Sequence, residues 1–322
     1  MQITINDKTL EVKADESLLE IARREGFEIP SLCHSKEAKH KSSCMVCAVK
    51  DVTRGQIIPS CTSKPTEGML IDTQSEEVKQ VRTMSLELLL SDHRADCEAP
   101  CSMVCPALLD IERMLDYYDK GQKKEALGLV KHAFDLPKLA CEDCKAPCEK
   151  ACRRGNVDAP VAIREIIKEL ASTLDATAIP EIKNMEINKK LFQSRLGRFS
   201  DSEKRRLKET VSTPSNCLHC ACAGKSGCQL RTHATSHQIK RPGFDIGTEL
   251  QVMSKIQVNE TMYFEQAKCI RCGLCVYNSD NGFTFKNRGF GMEVHLPEEN
   301  RENIPVELAT LCPTGAIYVV EN

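Results

Sequence analysis

Residues 33–47 read CHSKEAKHKSSCMVC, and another cysteine follows at position 61. A tight Cys-x2-Cys loop places two sulfurs on one side of an inorganic core, and more distant cysteines close the cage around it. The spacing Cys33-x10-Cys44-x2-Cys47-x13-Cys61 therefore predicts one metal site with four thiolate ligands.

The sequence on either side of this stretch predicts a small α+β domain over residues 1–74. Residues 15–25 have the pattern of a short amphipathic helix, which Gly26 ends. Apolar residues that alternate with polar ones predict two strands before it, joined by a turn: Ile3, Ile5, Leu10 and Val12.

The next part of the chain, residues 75–175, predicts a connecting helix and then an all-helical domain. The connecting helix should run from Ser75 to His93, because apolar residues recur at helical spacing: Val78, Val81, Met84 and Leu88. Residues 176–215 hold no cysteine and predict a linker with a solvated helix that begins at Ser200. Residues 216–322 form a carboxy-terminal region with two more cysteine groups.

Nineteen cysteines in 322 residues dominate the composition, and aromatic residues make up only 4%. The cysteine number is odd and the first residues are polar, which argues against secreted disulfides and favours a cytoplasmic protein with metal-bound thiolates. Lys and Arg (44) nearly balance Asp and Glu (46), so no basic surface predicts nucleic-acid binding. No apolar stretch approaches the roughly 18 residues of a membrane span.

Four further cysteine groups follow the first one along the chain. They are Cys97, Cys101 and Cys105; Cys141, Cys144, Cys148 and Cys152; Cys217, Cys220, Cys222 and Cys228; and Cys269, Cys272, Cys275 and Cys312. The last has the spacing of a 4Fe-4S site, with Pro313 after its distant cysteine. Zinc remains an alternative, since paired Cys-x2-Cys groups also make tetrahedral structural sites.

Several of these stretches resemble known families. The first group resembles plant-type 2Fe-2S ferredoxins, but ten residues separate its first two cysteines where the plant type has four. With this longer gap, it is similar to the large iron–sulfur subunit of complex I and many iron-only hydrogenases. LELLLSDHRADC at residues 86–97 is similar to that family's segment leading to a cluster with one His and three Cys ligands. CIRCGLC and CPTGAI near the carboxyl end resemble its next cluster site.

The helical region instead resembles the two-cluster domain of the glutamate synthase small subunit and of dihydropyrimidine dehydrogenase, through Cys101-x3-Cys105-Pro106 and the sequence RRGNVDAPVAI after Cys152. In that family two 4Fe-4S clusters have interleaved ligands. The resemblance implies one cluster on His93, Cys97, Cys101 and Cys152, and a second on Cys105, Cys144 and Cys148. Ile167 stands where some relatives have a ligating Gln, so Cys141 is the candidate for the fourth ligand.

Together the resemblances imply a β-grasp 2Fe-2S domain, an all-helical domain with two 4Fe-4S clusters, and a ferredoxin-like carboxy-terminal region with two 4Fe-4S clusters. The latter would use Cys217, Cys220, Cys222 and Cys228 for one cluster and Cys269, Cys272, Cys275 and Cys312 for the other. His219, His233 and His237 are alternative ligands if one cysteine of the earlier group is spare.

No G-x-G-x-x-G or P-loop motif occurs, and Gly289-x-Gly291 lacks a third glycine, so we expect no flavin or nicotinamide site in this sequence. A protein of this kind relays single electrons between partners. The resemblance implies an NAD(P)H-oxidising flavoprotein on one side and a hydrogenase, formate dehydrogenase or second flavoprotein on the other. Two other hypotheses are a redox enzyme with substrate at an open cluster site and a zinc-stapled scaffold.

One 2Fe-2S and four 4Fe-4S clusters require 20 ligands, which equals the 19 cysteines with His93. We expect about 18 iron atoms per chain in anaerobically prepared protein, measured together with acid-labile sulfide. Less than half this iron, or stoichiometric zinc in a colourless protein that dithionite does not change, would contradict the iron–sulfur assignment.

Overall fold

The computed structural model describes residues 1–93, 95–137, 140–173, 179–195, 197–240 and 253–320. These residues form two compact units. Of the described residues, the first unit holds 1–93, 223–240 and 254–320, and the second holds 95–222 and Met253. This division groups parts of the predicted linker and carboxy-terminal region differently from the four-domain prediction, whose boundaries stay predictions.

The first unit opens with a five-stranded sheet and one helix. The strands are β1 (Gln2–Ile5), β2 (Lys8–Glu11), β3 (Ala48–Asp51), β4 (Gln56–Pro59) and β5 (Met69–Asp72), and the helix is α1 (Leu18–Arg24). The strand order is β2-β1-β5-β3-β4, with β1 parallel to β5 and every other pair antiparallel. Ile3 and Ile5 face the buried side of α1, and Ser17 caps that helix through a reciprocal pair of hydrogen bonds with Glu20. This is the predicted β-grasp arrangement.

Helix α2 (Glu76–Asp92) spans the segment predicted as a connecting helix. Met84 and Leu88 are 55% and 52% exposed, whereas Leu86 and Leu90 are fully buried. The buried row also contains Arg82, whose Nε donates a hydrogen bond to the Ala48 carbonyl over 2.9 Å. A charged residue therefore interrupts the row of apolar residues on the buried face of α2.

The second unit is helical around one apolar core. Its helices are α3 (Pro100–Val104), α4 (Ile111–Asp119), α5 (Lys123–Ala133), α6 (Pro147–Ala151), α7 (Ile163–Thr173) and α8 (Asp201–Thr210). Ile111, Met114 and Leu115 of α4 are buried in this core, and Gly121 ends that helical stretch with φ of 73°. Before α7, the Asp158 carboxylate accepts two hydrogen bonds from Arg154.

The segment after α7 packs on this helical core, although the sequence indicated a linker. Ile179 and Ile182 lie against the core. A Cβ on Gly128 would lie 2.6 Å from the carbonyl oxygen of Pro180, so glycine permits this close approach. Ser200 caps α8 by accepting a hydrogen bond from the Glu203 amide, as predicted.

The rest of the first unit is built from short elements. They are α9 (Gln229–Ser236), β6 (Lys255–Gln257), β7 (Met262–Glu265), α10 (Leu274–Tyr277), β8 (Thr284–Lys286), β9 (Glu293–His295), α11 (Leu308–Leu311) and β10 (Ile317–Val319). One antiparallel sheet has the order β10-β7-β6, and β8 pairs with β9. Phe264 and Phe283 meet edge to face in the core, with ring centroids 5.2 Å apart. Within the described ranges, no helix combines the length and apolar character needed to cross a membrane.

The buried face of α2 can be tested with two leucines two positions apart. We expect Leu86→Ala to destabilise the protein by about 2–5 kcal/mol, because it removes a fully buried side chain. Leu88→Ala, at a 52% exposed position, should change stability by less than about 0.5 kcal/mol. Denaturant titration of the anaerobic protein measures both, and a larger loss in Leu88→Ala would contradict the observed face.

Candidate metal centres

The first cysteine group converges in one buried site of the first unit. The loop between α1 and β3 carries Cys33, Cys44 and Cys47, and Cys61 follows β4. All four side chains are buried, and the Sγ atoms of Cys33 and Cys44 are 3.3 Å apart. Met45 has φ of 54°, which folds the loop back around the thiols. The structure thus brings together the four residues that the sequence predicted for the 2Fe-2S site.

Hydrogen bonds between the thiols of this site change their pKa values. Bonds with Cys44 and Cys61 lower the pKa of Cys33 and raise the pKa values of those two partners. A hydrogen bond with Cys61 lowers the pKa of Cys47 to about 6. Two buried thiols thus favour the thiolate form at neutral pH, which is the form that binds metal, and the donor set fits a 2Fe-2S cluster.

The last cysteine group lines a second site in the same unit. A small cavity of about 20 Å³ is bounded by apolar side chains and by all four predicted ligands: Cys269, Cys272, Cys275 and Cys312. Backbone amides of Arg271 and Ile317 donate to two of the sulfurs, over 3.3 and 3.5 Å. Left-handed backbone at Arg271 and Gly273 makes this tight loop possible. Amide donors to sulfur and an apolar enclosure suit a 4Fe-4S cluster, whose potential such hydrogen bonds tune.

The chemistry of these thiols also fits a bound cluster. Burial raises the pKa of Cys269 and Cys275, and it raises the pKa of Cys272 to about 12. Buried thiols of this kind stay protonated unless a metal takes the proton's place, and coordination deprotonates them outright. Next to Cys269, Lys268 forms a buried ion pair with Glu265, with Nζ and Oε2 2.5 Å apart. Sequence reasoning missed this pair, although a lysine directly before the first ligand was visible.

The two sites of the first unit are neighbours. The side chain of Asn278, just after α10, exchanges two hydrogen bonds with the backbone of Lys39 in the loop of the first site, over 2.9 and 2.7 Å. The Lys41 ammonium lies 4.9 Å from the centroid of the Tyr277 ring. Charge on Cys33 also contributes to the raised pKa of Cys272, after burial, the main cause.

In the second unit, α3 and α6 pack against each other, and each contains one cysteine and is capped by another four residues later. Cys105 caps the end of α3, and Cys148 lies in α6. Burial raises the pKa of Cys148 to about 12, with added effects of charge on Cys105 and Cys141. Burial likewise raises the pKa of Cys141 to about 11, and charges on Cys144 and Cys105 add to it. The structure therefore brings together the predicted set of Cys105, Cys141, Cys144 and Cys148.

The other cysteines of this unit form a second group. Cys101 and Cys152 lie near Cys217 and Cys220, and the cluster on His93, Cys97, Cys101 and Cys152 stays a prediction. The Cys222 amide donates a hydrogen bond to the Cys97 carbonyl over 3.3 Å, and the set of Cys217, Cys220, Cys222 and Cys228 stays a prediction. Cys228 belongs to the first unit and caps α9 by accepting from the Arg231 amide over 3.4 Å.

The histidines considered as ligands have other contacts or surroundings. His93, in the first unit, is buried, and burial with the nearby Lys268 charge lowers its pKa to about 4, which keeps the ring neutral as a metal ligand requires. His237 Nδ1 lies 3.0 Å from Thr83 Oγ1. His219 Nε2 lies 3.9 Å from an oxygen of Asp119. Burial lowers the pKa of His233.

Three domain families match this chain. Residues 1–76 match a 2Fe-2S iron–sulfur cluster binding domain, residues 72–178 match dihydropyrimidine dehydrogenase domain II with a 4Fe-4S cluster, and residues 262–319 match a 4Fe-4S single cluster domain. These matches confirm the predicted presence of 2Fe-2S and 4Fe-4S binding domains.

Two curated proteins are similar over most of the chain. The NADPH-Fe(3+) oxidoreductase subunit alpha of Geobacter sulfurreducens is 25% identical over 261 residues, which cover 77% of this chain and 29% of that protein. An NADH-quinone oxidoreductase subunit of Rhizobium meliloti is 25% identical over 260 residues, or 75% of this chain and 28% of that protein. The similar region thus spans less than a third of either relative.

A solved structure has a similar fold. It is a chain in the crystal structure of NAD+-reducing [NiFe]-hydrogenase in the H2-reduced state, which aligns with a TM-score of 0.51 over 99% of this chain and 86% of that one. The sequence identity is 16%, so this likeness concerns the fold alone.

Reciprocal cysteine substitutions test the two sites of the first unit. We expect Cys272→Ala to lose about four iron atoms and one 4Fe-4S signal in electron paramagnetic resonance (EPR) spectra of the reduced protein. Cys33→Ala should lose about two iron atoms and the 2Fe-2S signal instead. Loss of the same signal in both variants would contradict two separate sites.

Proposed function

We propose that this chain, which is similar to the large iron–sulfur subunit of complex I, relays single electrons through bound iron–sulfur clusters inside a larger oxidoreductase complex. One observation carries the proposal: cysteine sites lie next to one another within each unit. In the first unit, Asn278 and Lys39 join the loops of two sites directly. In the second, α3 and α6 each carry a cysteine of two different sets.

The adjacency matters because electrons pass between centres only over short distances. Residues four apart on a helix are separated by about 6 Å along its axis. Two clusters whose ligands alternate along α3 and α6 therefore lie almost side by side. Structural metal sites gain nothing from this closeness, whereas an electron relay depends on it.

The proposed cofactors are one 2Fe-2S cluster and four 4Fe-4S clusters. Cys33, Cys44, Cys47 and Cys61 would hold the 2Fe-2S cluster, and their four thiolates leave no open iron position for substrate. Two 4Fe-4S clusters would be held by Cys105, Cys141, Cys144 and Cys148 and by Cys269, Cys272, Cys275 and Cys312. His93 and Cys97 stay proposed ligands as well. The clusters supply one-electron redox chemistry, and the chain supplies thiolates, amide donors to sulfur, and buried charge.

The partners we propose are an NAD(P)H-oxidising flavoprotein and a terminal redox subunit, such as a hydrogenase, a formate dehydrogenase or a second flavoprotein. The names of the Geobacter and Rhizobium relatives describe them as subunits of enzymes that use NADPH and NADH. We place the complex in the cytoplasm, where thiols remain reduced until clusters are inserted.

Gentle anaerobic purification from the native host, with mass spectrometry of every co-purifying chain, tests this function. We expect a nucleotide-binding flavoprotein and a catalytic subunit to remain bound. In that complex NADH or NADPH should bleach the cluster absorbance, because the flavoprotein splits the two-electron hydride into single electrons.

The isolated chain is the matched control. Dithionite should bleach its absorbance, but NADH and NADPH should not. If the chain comes alone with full iron, it is a free carrier and the subunit proposal fails. If NADH or NADPH bleaches the isolated chain, the proposal that a separate flavoprotein oxidises the nucleotide is wrong.

A further inference from the structure

A short segment of the second unit, residues 215–222, is held against helix α4 at both of its ends. Asp119, the last residue of α4, accepts hydrogen bonds from the amide and the hydroxyl of Ser215, both over 2.7 Å. Glu112, in the first turn of α4, accepts one from the amide of Ala221, also over 2.7 Å. Charged acceptors make strong hydrogen bonds, so the two cysteines between these anchor points have a defined position.

The same segment returns to the beginning of the second unit. Ala221 pairs with Asp96 in a parallel bridge, and the Cys222 amide donates to the Cys97 carbonyl over 3.3 Å. Residues far apart in sequence are thereby brought beside one another, a few positions before Cys101.

The two anchored cysteines lie among those of α3 and α6. Cys217 is 8% exposed and belongs to the same apolar core as Cys101, and Cys152 packs against that core. Cys101 follows Pro100 in the first turn of α3, whereas Cys152 caps the end of α6. Left-handed backbone at Asn216 and His219 turns the chain sharply on either side of Cys217.

The thiols of this group lie close enough to one another to interact electrostatically. Cys101 interacts in this way with Cys217 and Cys152. Cys220 interacts with Cys217 and Cys101.

The Arg153 guanidinium lies beside this group of cysteines. Arg153, directly after Cys152, forms two hydrogen bonds of 2.9 and 2.8 Å with the carboxylate of Asp96, which is 2% exposed. Arg153 also lies close enough to Cys220 to interact with it electrostatically. An arginine held in this position offsets negative charge that buried thiolates would otherwise leave uncompensated.

We propose that Cys217 and Cys220 complete a four-thiolate site with Cys101 and Cys152, and that this site holds a 4Fe-4S cluster. The proposal rests on the iron–sulfur function proposed above. The domain match over residues 72–178 ends before Cys217, so half of the ligands come from outside the matched domain. In this arrangement α3 and α6 each give one cysteine to this cluster and one to the neighbouring cluster, and Cys97 and Cys222 serve a different cluster.

Single and double alanine variants of the full chain, purified anaerobically, test the grouping. We expect Cys101→Ala and Cys220→Ala each to lose about four iron atoms and the same EPR signal of the reduced protein. The double variant C101A/C220A should lose no more iron than either single one, because both changes destroy one cluster.

Cys222→Ala is the matched control, two residues from Cys220. It should remove a different EPR signal, so C220A/C222A should lose about eight iron atoms. The grouping is overturned if C101A/C220A loses about eight, or if C220A and C222A remove the same signal.

Two further measurements separate a local effect from misfolding and from failure of the proposed function. The 2Fe-2S signal of the first unit should persist in every variant, and Cys220→Ser should keep the circular dichroism spectrum of the wild type. If the wild-type chain itself holds no iron, the iron–sulfur function is refuted. If the wild type is fully loaded and the signals pair otherwise, only the grouping is refuted.

Discussion

Convergence of buried thiols on shared points is the constraint on which the rest of this structure depends. Every one of the nineteen cysteines is free of disulfides, and most are buried. A buried thiolate without a partner costs several kcal/mol, so each group is stable as an ion only around metal. The small sheets, one-turn helices and left-handed residues that surround the thiols are what a chain needs to aim four sulfurs inward. The apolar clusters of both units include cysteine as well as aliphatic side chains.

Charge compensation is the second feature common to the two units. Asp96 and Arg153 flank Cys97 and Cys152, and Glu265 and Lys268 precede Cys269. Breaking a buried ion pair of this kind by removing one partner costs about 3–5 kcal/mol. Such pairs therefore hold the loops in place and also set the electrostatic potential at the neighbouring sulfurs. Cluster potentials respond to both effects.

Local spacing allowed much of the fold and part of the sites to be predicted. The β-grasp sheet follows from the alternating apolar residues Ile3 and Ile5. The site around Cys272 follows from the compact Cys-x2-Cys-x2-Cys run, whose distant fourth ligand, Cys312, is followed by Pro313. Two features escaped prediction for physical reasons. Arg82 lies on the buried face of α2 and interrupts its row of apolar residues. The charged side chain can be buried there because it donates a hydrogen bond to a backbone carbonyl. The partners proposed for Cys101 are positioned by Glu112 and Asp119, whose hydrogen bonds to a distant segment leave no periodic pattern in the sequence.

The position of the 215–222 segment also has a consequence for the order of biosynthesis. A ribosome makes α3 and α6 long before it makes the residues that Glu112 and Asp119 hold in place. When the helical unit leaves the ribosome, the cysteines of α3 and α6 are therefore present, but the segment with Cys217 and Cys220 has not yet been synthesised. Iron and sulfide inserted at that stage would be bound by an incomplete set of ligands and exposed to water and oxygen. Maturation of this protein is thus expected to be a post-translational event, in which the cell's cluster-delivery machinery acts on a finished chain.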